Sequence, residues 1–570
     1  MGNFLKTQNI FSCGEVAPEF YAINNIHGLS KLENMDVLES GGVRRRPGLK
    51  KIKNIANNAI LVPFVINESE KYLLVIYERI MDIYYNDSKI TSVVTPWHSA
   101  DLPKLQYAQK FNTLFFVHPN YSPQILTKTT SGFSITVFRF FMNSDTSLNM
   151  PFVRYDDTKD ISITISISNI DNNHAVFTAS ADLWDNTWVN DRVLVNNKQW
   201  IIESVGSARS AVAYTNGDFS IPSSPLTEWY EATFSNKRGW PMTVSFHQNR
   251  LVFGGSASAP NNIWMSKVGE YNNFDVGTGL DDEAIYTVLL SDQNHQICNV
   301  VSSDALQILT STGEWAISNT PLTPSNVNIK QHTSIGSVST RYLPPQQIEG
   351  STVFIAKSGK DIRELDLDTL NNKYNATDLC VYSKHLLNQP TSIAYNPSKH
   401  RLFVVMNDGS LAVFNKYANT DIAAWGTYKT DGLFKYVAVV DNDTYVIVKR
   451  QNTEYLEKFD TTKLNDADTY NFSYKISAFP MIVNGHSPKK IRPRKISLRV
   501  METKTLFVNN HRVEIPNWAY EENCSGYTGD LSTNLLGTDS ETMNPLWTIS
   551  SDEQLSATIL SVSIDGCYSI

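Results

Sequence analysis

The sequence predicts an all-β protein with a β-propeller-like central domain, a small β-domain inserted in it, and a β-rich C-terminal domain. Three observations predict this. Short apolar runs separated by turn signals recur from about residue 60 to 470, the pattern of antiparallel strands joined by tight turns. One stretch, Ile161-Ser162-Ile163-Thr164-Ile165-Ser166-Ile167-Ser168, alternates strictly between apolar and polar residues, which puts the two kinds on opposite faces of a strand. The composition is 41% hydrophobic, 11% aromatic and only 19% charged, which favours a folded β-rich chain over disorder or coiled coil.

At 570 residues the chain has room for about four domains of about 150 residues each, although all-β folds often run longer as one unit. Its formal net charge of -8 is unlike that of a free-standing nucleic-acid binder, so any DNA contact is expected to be local or non-adhesive. The five cysteines, Cys13, Cys298, Cys380, Cys524 and Cys567, have no CxxC spacing and leave an odd one. They outline neither a disulfide framework nor a zinc site, as expected for a protein made in a reducing compartment. Lys6, Thr7, Gln8 and Asn9 interrupt any signal-type apolar core, and runs such as Ala59 to Ile66 are too short to span a bilayer. No stable membrane insertion is expected.

In chain order, residues 1–53 read as an irregular arm, because no amphipathic period is sustained. It ends in Gly41-Gly42-Val43-Arg44-Arg45-Arg46-Pro47-Gly48. Arg44, Arg45 and Arg46 are interface candidates, since arginine forks pair bidentately with phosphates or carboxylates; a solvated loop with weak surface ion pairs is the commoner use of such a cluster. Residues 54–147 and 237–470 form the propeller-like domain. Its clearest unit, Thr391 to Thr427, holds four strands in about 40 residues, the size of a propeller blade, and such meanders bury their faces by radial packing. Six or seven blades fit the spacing. Residues 148–236 are the inserted β-domain, with Val193–Val195 and Trp200–Ile202 as a hairpin around Asn196-Asn197; Trp184, Trp188 and Trp200 are expected in its core. Residues 471–570 form the C-terminal β-domain, entered through the cations Lys489, Lys490, Arg492, Arg494 and Lys495. These too are interface candidates, set against a solvated strand entry because no stacking aromatics interleave with them.

No catalytic constellation stands out. HExxH, GxSxG and P-loop patterns are missing, and Asp281-Asp282-Glu283 lacks the alternation of a calcium loop. No cofactor, metal or enzymatic activity is expected.

Three segments resemble one family, the tail nozzle proteins of short-tailed bacteriophages, also called tail tubular protein B. The first is Phe11-Ser12-Cys13-Gly14-Glu15-Val16-Ala17-Pro18-Glu19-Phe20 with Leu32-Glu33-Asn34-Met35 and the Gly41 to Gly48 run. The second is Arg238-Gly239-Trp240-Pro241 with Phe246-His247-Gln248-Asn249-Arg250-Leu251 and Phe253-Gly254-Gly255, through Ile263-Trp264 to Asn273-Phe274. The third is Leu306-Gln307-Ile308-Leu309-Thr310 with Gly313-Glu314-Trp315, then Gly336. The resemblance implies a virion tail protein assembled in the host bacterial cytoplasm. Six copies would form a ring on a tail adaptor ring, pass genomic DNA through the lumen, and carry fibres or spikes outside. The arm at residues 11–49 would pack against an adjacent subunit or the adaptor. The alternative is a receptor-binding or glycan-cleaving tail protein on a propeller scaffold.

Overall fold

Turn chemistry sets the sheets. Asn86-Asp87, Asn196-Asn197, Gln248-Asn249 and Asn509-Asn510 all have both residues at positive φ, the geometry of two-residue hairpin turns whose twist matches that of the strands they join. Asn and Asp tolerate this region better than other non-glycine residues. The computed structural model describes residues 2–23, 26–168, 173–217, 219–371, 373–418, 420–483, 487–521, 524–535 and 544–569. Among them no α-helix occurs, and helical geometry is confined to short 3-10 turns.

The chain divides into two compact units, the first formed by Met1–Tyr77, Asp82–Thr91 and Leu343–Ile570, the second by Glu78–Met81 and Ser92–Tyr342. The first contains most of the sheet Ile60–Val65, Lys71–Tyr77, Ile80–Tyr85 and Ser88–Val94, and the whole of Gln346–Ile348, Ser351–Ile355, Ile362–Asp368 and Lys373–Asp378. Two further meanders follow. Pro390–Asn396, Arg401–Met406, Leu411–Lys416 and Ala423–Tyr428 form one end of an eleven-stranded sheet; Leu433–Val440, Asp443–Arg450 and Thr453–Asp460 form a four-stranded sheet whose fourth strand is Gly48–Ile55. Phe459 pairs with Leu49 and Asp460 with Gly48, so a strand from early in the chain completes the latest of these sheets. Leu49, Phe403, Val413, Val437 and Phe459 pack in one core between two of the meanders, and Leu61, Val75, Val440 and Ile447 in the next.

The second unit holds three more four-stranded sheets, Gln106–Lys110 to Gly132–Val137, Thr243–His247 to Ile285–Val288, and Ile297–Ser302 to Ile329–Thr333. The repeated antiparallel meanders of both units make the fold all-β and propeller-like. The second unit also contains a seven-stranded sheet from Phe152–Val153 to Trp229–Ala232. Ile163 and Ile165 of its alternating strand lie in a core with Trp184, Trp188, Trp200 and Trp229.

Residues 1–53 differ from the irregular arm expected of them. Gly2–Gln8 pairs with Thr558–Ser569, and Val43–Arg45 joins the same sheet between that strand and Met35–Val37. Lys31–Glu33 bridges Tyr474–Ser477 and Ala423–Tyr428. Phe11, Leu29, Leu32 and Met35 are buried in one core with Ile476, Leu498, Ile549 and Val562. These apolar side chains of the segment expected to pack against an adjacent subunit or the adaptor fill the chain's own interior. Strands of two or three residues carry no periodicity, and their partners lie hundreds of residues away, so only tertiary pairing creates them.

Candidate functional site

The strand Val43–Arg45 alternates inward, outward, inward, which splits the arginine triplet. Arg45 is buried: its Nη1 donates to the carbonyls of Glu553 and Leu555, its Nη2 to the carbonyl of Phe472 at 2.7 Å and to Gln554 Oε1 at 3.0 Å. Its guanidinium lies 4.5 Å from the Phe472 ring centre. Burial among neutral acceptors pulls its pKa down to about 10, which leaves it charged at neutral pH.

Arg46 is wholly buried and saturated. Nε donates to Asn34 Oδ1 at 2.8 Å, Nη1 to Asp466 Oδ1 and the Pro47 carbonyl, Nη2 to Asp466 Oδ2 and the Lys429 carbonyl. The fork on Asp466 is bidentate, and the Phe472 ring centre stands 3.6 Å from the guanidinium, a stacked, desolvated geometry that lysine cannot copy. Arg45 and Arg46 thus have intramolecular partners and present no surface to a neighbour. Arg44, on the opposite face, is exposed and pairs in the ladder with Asp36 and Thr558.

Lys489 precedes the strand Lys490–Thr503, which carries the other four basic candidates. A register shift between Pro493 and Lys495 leaves Arg494 unpaired in the ladder. A bulge of this kind re-aims the side chains that follow it. Ile491, Ile496 and Leu498 point into the core, while Lys489, Lys490, Arg492, Arg494 and Lys495 are all exposed. None of the five has an ion pair among the described residues. Further along, Arg499 meets Asp530 at 2.8 Å with both side chains mostly exposed, a contact worth little in water.

The hairpin Thr243–His247 and Arg250–Gly254 is held from within. Arg250 is fully buried and donates to the carbonyls of Ser266, Asp281 and Glu283. The Glu283 carboxylate accepts the N–H groups of Thr278, Gly279 and Leu280, which hold its pKa below the usual range, the Leu280 N–H contributing most. In the acidic triplet Asp281-Asp282-Glu283, Glu283 therefore ties a loop.

One basic cluster escaped sequence reasoning. Lys399, His400 and Arg401 follow the turn Asn396-Pro397-Ser398 and come to the same cavity as Arg44. Three successive basic residues at a hairpin were the available signal; what hides it is that Arg44 lies more than 350 residues away.

The sheets define an all-β, propeller-like protein whose basic candidate surfaces lie on residues near the arm and the C-terminal strands. Residues 242–503 match the family of the bacteriophage nozzle protein, which bears out the resemblance carried by the motifs and supports a structural protein of a phage tail. The match begins where the chain returns from the seven-stranded sheet and ends with the basic strand. No curated protein matches. Similar solved structures include the RRP9 WD40 repeats (7% identity, 73% of this chain and 98% of that one, TM-score 0.36). BamB from Moraxella catarrhalis is another (9%, 72% and 98%, TM-score 0.32), as is Kluyveromyces lactis Hsv2 (12%, 65% and 97%, TM-score 0.27). Similarity at this level carries no functional argument.

Proposed function

We propose that this chain forms the distal nozzle of a short phage tail, a homo-oligomeric ring, taken as a hexamer, that retains genomic DNA and then passes it during ejection. The single observation that supports this reading is the nozzle-family match across residues 242–503. The frame proposed for it is an N-terminal segment (1–53) paired into the chain's own sheets, a propeller-like domain (54–147 and 237–470), an inserted domain (148–236) and a C-terminal domain (471–570). Assembly falls to the exposed cations Arg44, Lys489, Lys490, Arg492, Arg494 and Lys495, which are available to an acidic neighbour, the adaptor ring above or fibres and spikes outside. Net charge supports free passage of DNA, because an acidic protein repels phosphates over about a Debye length. Assembly occurs in the host bacterial cytoplasm, and the mature location is the virion tail. Among the described residues no helix is long and apolar enough to cross a membrane.

Negative-stain imaging of the purified full chain tests this directly. Sixfold rings, or labelling of the tail tip in intact virions, are expected; a protein that stays monomeric at high concentration and is missing from virions would overturn the proposal.

A further inference from the structure

A cavity of about 440 Å³ opens within the first unit, between the arm, the turn at Ser398 and the C-terminal strands. Five arginines and lysines line it against two carboxylates, Asp36 and Glu502. Asp36 is almost completely buried and already occupied: Arg401 Nη2 donates to it at 2.8 Å, and the Tyr428 hydroxyl donates to it as well. Arg46 is saturated by Asp466, as described above. Arg44 and Lys399 have no ion pair among the described residues, so the cations that line the cavity outnumber its carboxylates.

Independent of that excess, donors are left over inside. Arg45, only 4% exposed, has its Nε buried without an acceptor, and so does Arg401. The His400 Nδ1 also lacks a hydrogen bond, with Glu349 Oε1 standing 3.9 Å away. Buried polar groups in native structures are nearly always matched, and all three of these belong to residues that line this cavity.

We infer that this cavity is a binding site for an acidic peptide segment of a partner protein, with carboxylates meeting Arg44 at one end and Lys399 at the other. The lining favours a peptide over a bare anion or a nucleic acid. Pro47, Tyr417, Leu464 and Ala557 give it apolar wall, and Ser398 and Ser556 give hydroxyls. The volume lies in the range of about 300–1,000 Å³ that encloses compact organic ligands. A duplex binds through phosphates displayed along an open surface, whereas this is a recess. Burial also lowers the Lys399 pKa, Arg401 adding to the effect; the charge of an entering carboxylate would oppose that shift.

This inference extends the contact assigned to Arg44 above, yet it does not depend on ring formation, and imaging and affinity fail separately. The experiment measures fluorescence anisotropy of a labelled peptide of alternating glutamate and serine on the purified full chain, with Arg44→Ala/Lys399→Ala as the variant and Lys490→Ala/Arg492→Ala as the control. Affinity is expected to drop at least tenfold in the first, with its thermal midpoint unchanged because neither side chain has an internal ion pair, and to be retained in the second. Arg44→Lys is expected to keep part of the affinity. Equal binding by wild type and the Arg44→Ala/Lys399→Ala variant would overturn the inference. So would inorganic phosphate or a duplex oligonucleotide binding more tightly than the peptide and displacing it.

Discussion

Arg46 directs all five of its N–H donors to acceptors inside the chain, whereas Arg44, two positions earlier, directs none to an ion partner. Removing one member of a buried, hydrogen-bonded pair leaves the other charge stranded, at a cost of about 3–5 kcal/mol. Arg46→Ala is therefore expected to destabilise the protein by about that amount in urea unfolding, and Arg46→Lys to restore little of it; a loss below about 0.5 kcal/mol would contradict the arrangement at Asp466. Asp191 gives a pH-dependent case. It is 7% exposed, and burial pushes its pKa up to about 6, although the N–H groups of Asn236 and Lys237 approach it at 3.3 Å. The folded state then holds this proton more tightly than the unfolded chain, whose aspartate titrates near about 3.9. Its contribution is full below about pH 4 and falls as pH rises to about 6, by on the order of 2–3 kcal/mol. Comparing thermal midpoints of wild type and Asp191→Asn at pH 4.5 and 7 should show the extra loss in wild type alone. In the sequence, the residues of Arg44-Arg45-Arg46 look alike; strand alternation separates the surface Arg44 from the internal Arg45, and Arg46, past the end of the strand, turns inward onto Asp466.

At the scale of elements, strands with inward apolar residues were legible. Arg401–Met406 and Leu411–Lys416 stand where their runs and the Asn407-Asp408-Gly409 turn put them. Ser88–Val94 was not legible, because it is exposed along nearly its whole length and an outer strand needs no apolar alternation. Gly48–Ile55 was hidden for another reason: its burial depends on Thr453–Asp460, about 400 residues later. Leu49 is fully buried between two meanders, so Leu49→Ala is expected to cost about 2–5 kcal/mol, measurable as a lower urea midpoint. An unchanged midpoint would mean that this strand does not complete the sheet. Gly14 marks a second long-range joint. Its φ is +63°, and an added Cβ would lie 2.2 Å from the Trp425 carbonyl oxygen, so Gly14→Ala should lower the thermal midpoint through both backbone strain and a clash.

For the whole molecule, the proposed role requires that DNA slide past the protein without being held. The net charge of -8 and the placement of two of the eight basic candidates inside the fold both reduce adhesion. In a gel-shift measurement at near-physiological salt, the purified protein should leave duplex DNA unshifted at concentrations where ordinary non-specific binders, with dissociation constants of about 10⁻⁴–10⁻⁶ M, retard it. Tight, salt-sensitive retardation would point instead to a gripping surface. What the sequence alone determined was the all-β class, the repeated meanders and the nozzle-family motifs, because turn residues, alternation and short motifs are local and survive being read one window at a time. The tertiary structure decided which arginines are surface and which are ties, where the arm's short strands pair, and that Lys399, His400 and Arg401 share a cavity with Arg44. Those outcomes depend on partners far apart in the chain, and no local pattern encodes a partner's position.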